Sequence, residues 1–417
     1  MISYYYKLIY FLPLALVTGP FLPDLIVTVC SVLFLIDTFR LKLFSYYHNN
    51  FFKFFMIFFL FLNLSSIFAE NLIPFKYSLG YIRYGIFSIL LFYTLKNYSN
   101  FKYNFSKVFF AVFLFLIIDG YIQYFFGRNI FLLEVQKYWN GLEYVTGVFG
   151  EEKKLGSFLS RLTPIFLISI LYISEQYKLK TNFLTLIFIS LLFILILYTT
   201  ERTSIVIMST FLILVLLSYQ KIISKITSLT SLALLVFIVL IINPELTEKL
   251  KSTFYQMGIL HPGYAEHSNN NNIHDDILMG NYPRGIFIFS EFYHNQIISS
   301  LVVFKDNILF GIGAKNYKML QLGGWHPHNF HAQILVEIGI FAYLILVSTF
   351  LLFFKETVKI LFIKKTIKQE DVMKNFIIFI IFINLLPVPT GDFFNNWLNI
   401  IIYLPIGFLL YLNEKKI

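Results

Sequence analysis

The chain has 417 residues, 58% hydrophobic and 13% charged, with a mean hydropathy of +0.72. Soluble domains carry roughly 25% charged residues, so this composition excludes an ordinary water-soluble fold and points to a lipid-embedded one. Basic cytoplasmic loops account for the net charge of +10 better than nucleic-acid binding does, and the single cysteine, Cys30, leaves no internal disulfide to form.

Apolar runs recur that match the ~20 residues needed to span a ~30 Å hydrocarbon core. Breaks at charged and Pro/Gly clusters predict spans near 5–18, 22–39, 51–68, 78–95, 107–126 and 158–174. The second half adds 182–198, 202–218, 222–242, 331–354, 373–390 and 394–412. The first run follows Lys7, lacks a small-residue cleavage site and is followed at once by others, so it reads as a span. The expected fold is an all-α integral membrane protein of about twelve transmembrane helices. Residues 1–242 hold nine spans and an outer loop at 127–157, residues 243–330 a large outer loop with short helices, and residues 331–417 the last three spans.

The distribution of charge orients these spans. The termini and the loops around 40–53, 96–107, 175–180, 221–225 and 355–374 carry 19 Lys and Arg against 6 acids, whereas the rest of the chain carries 14 against 17. Persistently basic short loops mark the cytoplasmic side, which puts both termini there and 127–157 and 243–330 outside. Arginine is sorted the opposite way: of six arginines only Arg40 is cytoplasmic, while Arg83, Arg128, Arg161, Arg202 and Arg284 are outer or embedded. Lysine suffices for orientation; arginine adds a planar fork that grips phosphate or carboxylate with two bonds, which suggests an anionic ligand at the outer surface.

Within the large loop, Gly285–Phe304 has a helical length, and a loop this long is usually functional. The sharpest local feature is Trp325-His326-Pro327-His328-Asn329-Phe330-His331, leading into an apolar run. The histidines admit three readings: a zinc site, caps of a helix at the interface, or a general base. The zinc reading lacks a thiolate or nearby carboxylate at ligand spacing, whereas a neutral imidazole suits removal of a hydroxyl proton. Glu337, an intramembrane carboxylate, is a candidate by its cost alone. Nine residues of regular helix turn it away from His328, so it is expected to brace a neighbouring helix. Arg202 follows Tyr198-Thr199-Thr200-Glu201 at a span end, either as an interfacial anchor with Glu201 or as an anion ligand. Arg161 lies a few residues into a span and needs a partner or an anionic ligand there.

Together these pieces resemble the O-antigen ligase and O-antigen polymerase superfamily of membrane glycosyltransferases. His328-Asn329, nine residues, then Gly339 is similar to the ligase signature, with Ala342 where Gly, Thr or Tyr is usual. Asn307–Tyr317 looks like the family's Gly-x-Gly turn at Gly311 and Gly313, with Arg284 at the family's upstream arginine. Thr200-Glu201-Arg202-Thr203-Ser204 is similar to its span-end motif, and Gly147–Glu151 with Leu155-Gly156-Ser157, Arg161 and Pro164 to another family stretch. The resemblance covers roughly residues 120–345.

It implies a transferase in a bacterial inner membrane, working on the periplasmic face without cofactor or metal. The donor would be an undecaprenyl-diphosphate-linked glycan, its tail among membrane lipids and its diphosphate at Arg202, Arg284 and Arg161. His328 would be the catalytic base, with Asn329, Glu337, Gly311, Gly313 and Gly339 in support. The acceptor would be lipid A–core for a ligase or another lipid-linked glycan for a polymerase. A lipid-linked sugar transporter or flippase, or a lipid-binding scaffold, are the competing readings.

Overall fold

The computed structural model describes residues 4–69, 73–137, 143–177, 181–218, 289–320, 326–360 and 369–414, with isolated positions between 230 and 248. Its helices are α1 (Leu12–Val17), α2 (Phe21–Leu41), α3 (Asn50–Ile67), α4 (Ile73–Gly80), α5 (Ile82–Asn97), α6 (Phe101–Phe126), α7 (Leu155–Tyr177), α8 (Thr181–Thr199) and α9 (Arg202–Ser218). Next in the described residues come α10 (Glu291–Asp306), α11 (Phe330–Ile338), α12 (Ile340–Val358), α13 (Gln369–Asn384) and α14 (Asn396–Glu414). The one sheet among the described residues is a two-residue antiparallel pair, Gln136–Lys137 with Glu143–Tyr144, inside the loop 127–157.

Seven helical segments among the described residues are long and apolar enough to cross a membrane, which makes this an all-α multi-pass membrane protein. They are Phe21–Leu41, Asn50–Ile67, Pro74–Asn97, Phe101–Phe126, Leu155–Tyr177, Ile340–Val358 and Asn396–Glu414; Tyr4–Val17, Thr185–Thr199 and Arg202–Leu216 are shorter apolar helices. The predicted span 222–242 falls mostly outside the described residues.

Burial divides the bundle into centre and rim. The most hydrophobic window of α7 is 83% buried and that of α4–α5 78%, whereas α12 buries only 11% and α3 28%. Helix α7 packs against α6, α8, α9 and α13, and α14 seats on α5, so the interior is a helix-on-helix core and the rim faces lipid. Ring stacks such as Phe113 on Phe166 (4.8 Å) and Tyr84 on Tyr403 (5.7 Å) fill it. The membrane gives no hydrophobic drive between helices, so this close packing and the buried hydrogen bonds hold the bundle together.

Ion pairs follow the two faces read from the loops. Lys96–Glu414 (2.6 Å), Lys102–Glu175 (3.7 Å) and Lys374–Glu356 (3.2 Å) join segments assigned to one side. Arg83–Asp24 (2.9 Å) and Lys315–Asp392 (3.5 Å) join segments assigned to the other.

Two boundaries differ from the sequence reading. The span predicted at 331–354 is two helices, α11 and α12, broken at Gly339, whose φ of +90° interrupts the helical path. The span predicted to run to 390 ends at Asn384, and residues 385–395 form a connection before α14. Pro387 and Pro389 explain that stop, because neither can donate the amide a continued helix needs.

Candidate functional site

His328 lies in the turn before α11. Asn329 caps that helix: its Oδ1 accepts the backbone N–H of Ala332 at 3.1 Å. Capping therefore falls to the asparagine, leaving the histidines for other work. His328 has φ +53°, a left-handed conformation that a non-glycine residue holds only when its surroundings impose it. Its carbonyl accepts the backbone N–H of Thr390 at 2.9 Å. Its ring stands edge-on to Phe292 (5.5 Å) and Tyr293 (5.4 Å) of α10, with the His326 ring 4.0 Å away. Burial first, then the neighbouring His326, hold its pKa down to about 4, while the Thr390 carbonyl pulls it upward. The imidazole is thus neutral at pH 7, with a nitrogen able to take a proton. His326 is shifted down too, mainly by burial, and its Nε2 has no hydrogen-bond partner among the described residues. His331 faces elsewhere, with Nε2 2.8 Å from the Leu385 carbonyl and Nδ1 3.3 Å from the Tyr343 hydroxyl.

The Gly-x-Gly turn and the glycine after α11 meet back to back. Ile312 N–H donates to the Val336 carbonyl, Gly313 N–H to Glu337, and Ile340 N–H to Ile308, each at 2.9 Å. A Cβ on Gly311 would fall 2.6 Å from the Glu337 carbonyl carbon, and one on Gly339 would fall onto the Leu309 carbonyl; both glycines also have positive φ. This contact is why the motifs need glycine: two backbones touch where any side chain would separate them. Glu337, fully buried, accepts the Tyr317 N–H at 3.1 Å and the Gln333 amide at 2.9 Å. Gln333 also donates to Asp392 at 2.7 Å and accepts the Phe393 N–H at 2.7 Å. Glu337 ties α11 to the turn before it and, through Gln333, to residues 385–395.

A second cluster surrounds the junction of α8 and α9. Glu201 accepts the N–H groups of Gly156 (2.8 Å) and Ser157 (2.9 Å) and the Ser204 hydroxyl (2.9 Å), so it caps the start of α7. Removal from water pushes its carboxyl up to about 7, against the pull of those donors and of Lys153. Lys153, its ammonium 4.1 Å over the Tyr144 ring, is held down to about 8 by desolvation and by Arg202, with Glu201 opposing. Arg202 is the first residue of α9 and partly buried. Its neighbour Thr203 donates to the Pro389 carbonyl at 3.1 Å.

Arg161 is 2% exposed. Its guanidinium donates to Asn384 Oδ1 (2.6 Å), Thr390 Oγ1 (3.1 Å) and Ser157 Oγ (3.2 Å). These are protein partners, so a diphosphate contact, as the sequence led us to expect, would require Arg161 to leave them. Arg284 lies outside the described residues, as do Trp325, His261, His267 and His274.

The connection 385–395 therefore meets α7 through Arg161, α9 through Thr203, the His328 turn through Thr390, and α11 through Gln333. Sequence reasoning missed it because it placed residues up to 390 inside a span. The available signal was Pro387-Val388-Pro389-Thr390-Gly391-Asp392, a helix stop with an acid on the arginine-bearing side. Lys153 was also passed over, although it lies in a stretch already singled out. No three His, Cys, Asp or Glu side chains gather at metal-binding distance among the described residues.

Residues 187–347 match the family model described as O-antigen ligase. No curated protein matches the chain. The matched segment contains Arg202, Arg284, Gly311, Gly313, His328, Asn329, Glu337 and Gly339; Lys153, Arg161 and residues 385–395 lie outside it.

Proposed function

We propose, from the match of residues 187–347 to the O-antigen ligase family model, that the protein transfers a glycan from a polyprenyl-diphosphate carrier to an acceptor hydroxyl at the outer face of a bacterial inner membrane. The acceptor oxygen attacks the anomeric carbon and the bond to the diphosphate breaks with inversion. The hydroxyl proton passes to His328, and the electron pair leaves on the diphosphate lipid. Arg202 and Arg284 bind that diphosphate, and Lys153 adds charge beside Arg202. Charge grows on the leaving group as the bond breaks, and preorganised cations stabilise it where it develops. Both termini lie in the cytoplasm on this reading, and the carrier tail runs among the spans.

One observation carries the proposal. The backbone carbonyl of His328 accepts the Thr390 N–H, and Thr203, next to Arg202 at the start of α9, donates to the carbonyl of the adjacent Pro389. Holding base and anion-binding groups on one short connection supports a shared reaction centre.

The test uses purified protein with a lipid-linked glycan and either lipid A–core or a second carrier-linked glycan as acceptor. His328→Ala should lower turnover about 10²- to 10⁴-fold while donor binding persists. Turnover retained by that variant sinks the base assignment. The His-Asn-x9-Gly signature favours the ligase acceptor, and polymer ladders on the carrier lipid would instead identify a polymerase.

A further inference from the structure

We propose that Thr390, held by Arg161, positions His328, so that Arg161 acts on the reaction through Thr390 rather than by touching the diphosphate. The inference rests on His328 being the base of the proposed transfer.

His328 does not keep its conformation through local preference. Its φ of +53° is unfavourable for a histidine by about 1 kcal/mol or more. Asn329 immediately after it is extended, at φ −148°. Such a turn persists where outside contacts over-determine it, and the hydrogen bond at its centre is Thr390 N–H to the His328 carbonyl, 2.9 Å.

Thr390 in turn lies in a connection with no regular structure, so something must hold it. Arg161 does so from one side, through the 3.1 Å bond to Thr390 Oγ1 and the 2.6 Å bond to Asn384, the last residue of α13. Thr203 does so from another, through Pro389. Asn384 is oriented for this, since its amide nitrogen is already committed to the Ile380 carbonyl at 2.8 Å, leaving Oδ1 for the guanidinium.

Burying a guanidinium is costly; the hydrogen-bond acceptors of Arg161 are neutral oxygens, and the Glu201 carboxylate is the opposite charge acting on it. At Arg161 the geometry favours a clamp. Three separate donors meet three acceptors on α7, α13 and the connection, and only 2% of the residue is exposed to meet a ligand. A planar, multi-donor cation is the side chain that can bridge three elements at once; lysine, a point charge on a flexible stem, cannot reproduce that geometry. Removing the Thr390 hydroxyl frees the connection from Arg161, loosens the bond to the His328 carbonyl, and lets the turn relax to negative φ with its ring displaced. A displacement on the order of 1 Å at a reacting group costs about 10²-fold in rate.

The experiment compares Thr390→Val, Thr390→Ser, Arg161→Gln, the Arg161→Gln/Thr390→Val double variant and His328→Ala, measuring kcat, KM and donor affinity. Thr390→Val should lower kcat by about 10- to 100-fold with donor affinity within about twofold of the parent. Thr390→Ser, which keeps the hydroxyl, should stay within about threefold in kcat. The double variant should be no worse than its poorer single member, because both changes break one linkage. Weakened donor binding at preserved kcat in Arg161→Gln, or additive losses in the double variant, would overturn the proposal. Should Arg161→Gln not fold, the contrast between the Val and Ser variants at 390 decides alone: equal activity in the two sinks it. An active His328→Ala is a separate failure, that of the base assignment itself.

Discussion

At position 328 the side chain's identity and its environment make different contributions. Histidine supplies a group that can carry a proton near neutrality; its burial beside His326 moves that equilibrium down to about 4. The neutral, proton-accepting form dominates above that value, so kcat/KM should stay level from about pH 6 to pH 8 and fall only as acid approaches the folded-state value. A profile bending near 6.5 would mean that the ring is solvated in the free enzyme. Stability should move the same way: between 6.5 and about 4 the unfolded chain binds a proton that the folded chain refuses, so acidification through this window destabilises the protein. The donor's diphosphate would raise the ring's proton affinity on arrival, coupling substrate binding to base strength. Residue type and the nearby His326 made His328 a candidate from sequence, but the burial that dominates its shift comes from how the turn packs, with Phe292 and Tyr293 of α10 against its ring, which spacing does not disclose.

At the scale of elements, the break between α11 and α12 shows how a motif becomes geometry. A continuous apolar stretch from Ala332 onward reads as one span, and the hydrophobic pattern carries no sign of the interruption. In the sequence, Gly339 stands out only by its distance from His328. In the fold it is a hinge pressed against Leu309, and Gly311 fills the reciprocal position against Glu337. Gly339→Ala and Gly311→Ala should each destabilise the protein by on the order of 2 kcal/mol or more, read as a lower unfolding temperature in detergent. A pair of variants as stable as the parent would show that the backbones are not in contact. Because α11 is separate from the membrane-crossing helix, Glu337 is free to bond Tyr317 and Gln333. Helical phase predicts that Glu337 braces a neighbouring helix, whereas its carboxylate bonds the Tyr317 N–H and Gln333 of its own helix.

At the scale of the molecule, Cys30 offers a clean test of orientation. It is fully buried and the sole cysteine, so new cysteines can be read against a silent background. With a membrane-impermeant thiol reagent on intact cells, Glu152→Cys, beside the Lys153 and Arg202 cluster, should label. Ser45→Cys, in the exposed turn after α2, should label only after the membrane is opened. The reverse pattern would place the His328 turn in the cytosol and end the transferase proposal.

Composition by itself determined that this is a multi-pass helical membrane protein, loop charge gave the expected orientation, and local motifs marked His328, Arg202 and the three glycines. Those properties are legible because hydrophobic length, positive-inside bias and backbone conformation are short-range features written in consecutive residues. Only the tertiary structure decided that Arg161 bonds Asn384 and Thr390, more than two hundred residues away in sequence. It likewise decided that residues 385–395 gather α7, α9, α11 and the His328 turn. Such contacts depend on how helices pack against one another, and helix packing is set by the whole core at once rather than by any window of the chain.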